Sequence, residues 1–300
     1  MNNYRCLICG YIYTGEAPPE TCPICDAPAS EFELMEAKGL GQQASSDDGA
    51  SSEIDESIHK VVILGSGIAA LSAAETLREL SNNLEVTIIT NESMLPYYRL
   101  NLTKFLAEEV SEGDLWIHDQ YWYDDQRIQI FKNRVVTEID REKKVITTSD
   151  QLQVPYDRLV IALGAHPFIP PIKGISQPGV HTIRSVEEAV ALKQQLKEGN
   201  RVLVLGGGVL GLETAAALSI TGAKVTVAEG VPWLMPRQLN EVASKYIEKT
   251  LTDMGVGVAY GFRSELIEKK DGSFQVNAQD GRSITADHII VATGDAQTPT

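Results

Sequence analysis

Four cysteines, Cys6, Cys9, Cys22 and Cys25, are the only thiols in 300 residues. They fall as C-x2-C, twelve intervening residues, then C-x2-C, so each pair forms a knuckle and the two knuckles close a tetrahedral four-sulfur shell that takes zinc or iron. A second constellation is glycine-based. Gly65-Ser66-Gly67 is followed by the small Ala70, and Gly206, Gly208 and Gly211 repeat the spacing. In such loops the first glycine makes the turn, the second lets backbone approach a pyrophosphate, and a small third residue lets a helix lie close to a strand. Each loop is followed by a run that ends in an acid, Glu92 after EVTIITN and Glu229 after KVTVA, where a carboxylate accepts hydrogen bonds from ribose hydroxyls. Two complete sets on one chain predict two bound dinucleotides.

The elements that must position these residues are legible around them. Val61–Leu64 is an apolar strand, the glycines turn it, and a helix runs from about Ala70 to Leu80; RVLVL, the second loop and ETAAA repeat the plan. The expected fold is α/β, with two Rossmann-like dinucleotide-binding domains preceded by a small metal-knuckle module. The division reads as 1–38 metal module, 39–57 linker, 58–175 first nucleotide domain and 176–300 second. The linker, GLGQQASSDDGASSEIDES, has five acids, no base and no aromatic residue. A flexible chain of that length spans roughly 24 Å, enough for a tethered module to reach a neighbouring surface. RVVTEID and KKVITTS predict a hairpin, and Ser185 with Glu188 predicts a capping box for a helix ending at Leu196. Trp116, Tyr121, Trp122 and Tyr123 read as a helix packing into a core. The runs VGVAY, FQVNA and HIIVATG read as strands that close the second domain near Gly294. The five histidines form no ligand spacing.

Bulk properties narrow the partners. A net charge of −15 argues against nucleic acid and anionic membrane surfaces. No apolar run has the length of a membrane span, and the polar start MNNYRC is no signal peptide, so a cytoplasmic location is expected. In a reducing compartment the four cysteines are metal ligands rather than disulfides. The nucleotide-binding part has no thiol, which disfavours dithiol chemistry there.

YRCLICGYIY, CPICDAP and Phe32 resemble the rubredoxin-like module found at the end of rubrerythrins, which implies one iron on Cys6, Cys9, Cys22 and Cys25, with zinc as the alternative. Asp26 departs from the glycine usual after the last cysteine. SMLPYYRLNLTKFL, residues 93–106, resembles the Pro-Tyr-x-Arg-x-x-Leu-Ser-Lys stretch of the NADH-dependent rubredoxin and ferredoxin reductases, a branch of the two-dinucleotide flavoprotein family. The resemblance implies FAD in the first domain with Arg99 and Lys104 against it, and Lys104 near the reactive edge of the ring. By the same resemblance Ala162 and Gly164 pass close to FAD, Val135 meets adenine through its backbone, and Glu213 stands near the nicotinamide; Gly294, where the second domain closes, is read as a further cofactor-binding position. Thr103 and Leu163 depart from the usual serine and threonine. Glu229 favours NADH, since a carboxylate repels a 2′-phosphate; NADPH is disfavoured.

These parts predict a flavoprotein oxidoreductase that passes electrons from NADH through FAD to the iron module and on to a redox protein acceptor. Two alternatives stay open: the flavoprotein part of an NADH-dependent nitrite reductase, and a flavin reductase whose first 38 residues are a zinc ribbon that docks a partner. Relatives continue into a closing FAD segment and an interface domain, so the sequence to Thr300 is expected to be a fragment.

Overall fold

The structure, a computed structural model, describes residues 2–6, 12–22, 27–35, 55 and 57–297. The acidic linker, apart from Asp55 and Ser57, lies outside them, as do Cys9, Cys25 and Asp26. The chain groups into two compact units, Met1–Leu100 with Trp116–Leu163, and Asn101–Leu115 with Gly164–Thr300.

In the first unit, β1 (Asn2–Cys6) pairs antiparallel with β2 (Ile12–Gly15) and β3 (Phe32–Met35) to make the small sheet of the cysteine module. Next come β4 (Lys60–Leu64), α1 (Ile68–Leu80) and β5 (Glu85–Ile89), the strand, turn and helix read from the glycine spacing. After the short α2 (Leu102–Leu106), which groups with the second unit, follow α3 (Gln120–Asp125), β6 (Ile128–Phe131), β7 (Val136–Asp140), β8 (Val145–Thr148), β9 (Gln153–Pro155) and β10 (Arg158–Ile161). β4 lies inside a parallel sheet of order β10-β4-β5-β6, which is why its residues form an unbroken apolar run. Alternation sends Val61 and Ile63 against Ala70, Leu71 and Ala74 of α1, and Val62 and Leu64 against Ile146 and Val154 of the antiparallel β7-β8-β9 sheet and Tyr156 just beyond it. The predicted hairpin is thus the cover of the sheet's second face. Tyr123 is fully buried in the α1 face, and Tyr121 on the same helix is 77% exposed.

The second unit repeats the plan. It contains β11 (Ala165–Pro167), β12 (Val180–His181), α4 (Val186–Gln195), β13 (Arg201–Leu205), α5 (Val209–Ile220), β14 (Lys224–Glu229), α6 (Glu241–Asp253) and β15 (Gly257–Tyr260). β16 (Ser264–Lys270), β17 (Ser273–Ala278), β18 (Ser283–Ala286), β19 (His288–Val291) and β20 (Asp295–Gln297) complete it. The parallel sheet runs β12-β19-β13-β14-β15, and the antiparallel β16-β17-β18 sheet covers one face through Ile267, Phe274 and Val276. The capping box on α4 forms as read: Glu188 N–H donates to the Ser185 hydroxyl, and the Glu188 carboxylate accepts from Ser185 N–H.

Candidate nucleotide and metal sites

The first glycine loop is built by a backbone crossing. Gly65 has φ +100° and donates its N–H to the Ile89 carbonyl, and a β-carbon there would drive into the carbonyl of Ala162. Ala162 in turn donates to the Leu64 carbonyl at 2.9 Å. Gly67 caps α1 without any side-chain acceptor, and a β-carbon on it would meet nothing within 4 Å. The first turn of α1 therefore presents N–H groups at an open surface, which suits a pyrophosphate. Ala70, in the third position, is fully buried, so the methyl is accommodated there. The Ser66 hydroxyl lies 2.8 Å from that of Thr90 in a buried pair that ties the loop to the end of β5.

Glu92 follows that strand end, and its carboxylate is already organised. Tyr97 OH donates to it at 2.7 Å, Arg99 pairs with it at 2.6 Å, and Arg99 also donates to Tyr97 OH at 2.8 Å. The guanidinium sits 4.9 Å from the Tyr97 ring centroid, and Trp116 meets that ring edge-on. Arg99, read as a residue against FAD, is thus joined to the acid read as the ribose ligand. Spacing alone gives neither Tyr97 nor Trp116 a place in the site; the tyrosine of Pro-Tyr-x-Arg is the one signal for it in the sequence.

The second loop matches the first in construction and differs in one particular. A β-carbon at Gly206 (φ +114°) would strike the Ala292 carbonyl, Gly208 caps α5 over open space, and a β-carbon at Gly211 would strike the Gly206 carbonyl. Glu229 reaches back to this loop, accepting from Gly207 N–H at 2.7 Å and Val231 N–H at 3.1 Å. Gly207, which spacing alone leaves as any residue, is a glycine because the Glu229 side chain and Leu234 occupy the space of its β-carbon.

Lys104 on α2 and Glu213 on α5, read as the catalytic pair from their expected places at the flavin edge and the nicotinamide, come together in the second unit. Glu213 keeps an exposed side, yet its crowded surroundings displace water and raise its carboxyl above the ordinary 4.5, while the nearby Lys104 charge works in the opposite direction. A carboxyl raised in the folded state costs stability progressively as pH climbs from that ordinary value through the raised one, and the full cost stands above both. Lys104→Met removes the opposing charge. We expect the Glu213 carboxyl to titrate higher still, read by carbon NMR of labelled glutamate, with the melting temperature falling only on the alkaline side of that window.

Cys6 and Cys22 are both buried, at 1% and 0% exposure, in one cluster with Ala27 and Tyr98. The second knuckle is closed at its neck by Cys22 N–H donating to the Ala27 carbonyl at 2.8 Å and Ala29 N–H to Glu20 at 3.1 Å. Two buried cysteines in one cluster fit a tetrathiolate metal, with Cys9 and Cys25 completing the donor set by sequence.

The remaining residues fall as follows. Val135 is 53% exposed, and its carbonyl accepts from Ser149 N–H. Gly164 has φ +68° and Gly294 φ +115°, with the Gly294 carbonyl accepting from Phe168 N–H at 2.8 Å. His181 and His288, unconnected in sequence, face each other at 3.4 Å on paired strands.

Residues 59–299 match the family described as pyridine nucleotide-disulphide oxidoreductase, and residues 4–33 match the rubrerythrin, rubredoxin-like domain. The NAD(P)H nitrite reductase of Bacillus subtilis (strain 168) is 33% identical over 237 residues, 78% of this chain and 29% of that protein. The rubredoxin-NAD(+) reductase of Pseudomonas putida is 34% identical over 236 residues, 78% of this chain and 61% of that protein. Among solved structures, the covalent putidaredoxin reductase–putidaredoxin complex aligns with a TM-score of 0.74 at 27% identity, covering 79% of this chain and 58% of that one. The chain therefore spans less than two thirds of the length of these relatives. FAD and NADH are typical cofactors of the matched family, and the rubredoxin-like match supports iron. Among the described residues no helix is long and apolar enough to cross a membrane.

Proposed function

Because the chain belongs, through residues 59–299, to the pyridine nucleotide-disulphide oxidoreductase family, we propose that it is an NADH-dependent flavoprotein reductase. It delivers electrons through FAD to an iron held by Cys6, Cys9, Cys22 and Cys25, and from there to an external protein acceptor. FAD supplies the exchange between a two-electron hydride donor and a one-electron iron centre. The chain's own residues do the placing. The α1 N-terminus holds a pyrophosphate, Glu92 with Arg99 and Tyr97 fixes the ribose end, and Lys104 with Glu213 sets the charge where the nicotinamide approaches. Glu229 selects NADH over NADPH, and its grip on Gly207 N–H supports this by holding the carboxylate at the loop. The domain division 1–38, 39–57, 58–175 and 176–300 and a cytoplasmic location, in keeping with reduced cysteine ligands, belong to the same reading.

The observation that carries it is the presence, on one chain, of two glycine-loop units and a module whose Cys6 and Cys22 are buried in one cluster. The relation to a nitrite reductase favours a second reading, a flavoprotein portion serving that chemistry. The test is anaerobic mixing of the FAD- and iron-loaded protein with NADH, followed by absorbance. Loss of the flavin band and then of the ferric tetrathiolate band is expected. Flavin bleaching with an unchanged iron band would refute the relay and leave a flavin reductase with a docking module.

A further inference from the structure

Tyr98 occupies the open position of Pro96-Tyr97-Tyr98-Arg99 and is 8% exposed, yet it is absent from the core of the nucleotide unit to which it belongs. What buries it is the cysteine module: Tyr98 clusters with Cys6, Cys22 and Ala27, and Phe32 and Ile117 pack against that group. Ile117 also packs against the α1-side core of the nucleotide unit, so it links the two. The loop that presents Tyr98 is fixed on both flanks. Tyr97 and Arg99 are bound to Glu92, and Ile117 N–H donates to the Pro96 carbonyl at 3.1 Å, pairing this loop with the Trp116 segment.

We propose that Tyr98, supported by Ile117, is the anchor on which the chain's own metal module docks, holding the Cys6–Cys22 side of the module against the loop that carries Glu92 and Arg99. A contact built on one aromatic anchor is weak between separate molecules. The 19 residues 39–57, read as a tether, change that, because a linker of that length supplies an effective concentration on the order of 1 mM. An intrinsic Kd of roughly 0.1 mM then leaves about nine tenths of the modules docked, and a hundredfold loss leaves about a tenth. Loss of an aromatic anchor weakens an interface by about that factor. Tyr98 is a positioning residue in this role. The proposal rests on the metal-module reading of residues 4–33 and is independent of the direction of electron flow.

Hydroxyl-radical footprinting of the intact, metal-loaded protein tests it without NADH. Tyr121, 77% exposed, and Tyr123, fully buried, are internal references. Tyr98 is expected to label at least tenfold more slowly than Tyr121. In Tyr98→Asp, labelling of Phe32 and Ile117 should rise severalfold with Tyr123 still protected, whereas Tyr98→Phe should keep the wild-type pattern. Tyr98 labelling like Tyr121 in the unaltered protein, which needs no variant to fold, would overturn the proposal. So would unchanged Phe32 and Ile117 labelling in Tyr98→Asp. Protection at Tyr98 with no reduction of the metal by NADH would leave docking standing and remove the electron relay.

Discussion

Gly211→Ala is expected to weaken NADH binding roughly ten- to a hundredfold while leaving FAD content unchanged. The added methyl would be driven into the carbonyl of Gly206 and would also meet Ala292 Cβ at 3.3 Å. Both obstacles belong to backbone or to a side chain with no freedom, so α5 must move away from β13. Overpacking of this kind costs about 1–3 kcal/mol, and each 1.4 kcal/mol that falls on the bound state is a factor of ten in affinity. The shift separates the α5 N-terminus from the Gly206–Gly208 turn, the two parts that must converge on one pyrophosphate. The first unit makes the prediction specific, because there Ala70 holds the equivalent place with zero exposure. Calorimetric titration with NADH, beside the flavin absorbance of the same sample, checks it. An unchanged NADH affinity would mean that α5 relaxes freely and that the close approach has no function.

The same comparison shows what the sequence carries and what it does not. Both βαβ units were legible because every requirement is local: an apolar run for a strand buried on both faces, glycines where a β-carbon would strike Ala162 or Ala292, and an acid at the next strand's end. The capping box of α4 and the β7–β8 hairpin are local in the same sense. Contacts without a period or a spacing were silent. Nothing near Tyr98 announces that Cys22, 76 positions earlier and across the acidic stretch 39–57, will lie against it. The His181–His288 approach depends on parallel pairing of β12 with β19, strands 107 residues apart at these positions, so a search for ligand spacings passes over it. The Tyr97–Glu92–Arg99 set lies between these cases. Its members fall within eight residues, but only the folded loop shows that the cation and the acid answer each other.

Cys22→Ser is expected to abolish metal binding in the first module, with iron falling to background and the ferric tetrathiolate band disappearing. A serine hydroxyl stays protonated near neutral pH and is a poor replacement for a thiolate. The knuckle leaves no room for rescue, since Cys22 is fully buried and its N–H is committed to the Ala27 carbonyl. Among the described residues no other group of three or more His, Cys, Asp or Glu side chains stands ready to hold the ion. The loss should reach beyond the metal. A three-stranded sheet of five, four and four residues has little apolar core, and modules of that size fold largely on the binding energy of the ion. Residues 2–35 should therefore become accessible to protease in the variant, while the nucleotide units, which share none of its ligands, keep their FAD and their bleaching by NADH. Iron analysis, the visible spectrum and limited proteolysis on one sample separate the outcomes. Retained iron in Cys22→Ser would remove this cysteine from the ligand set. Lost iron with full protease resistance would mean that the contact with Tyr98, and not the metal, is what keeps the module folded.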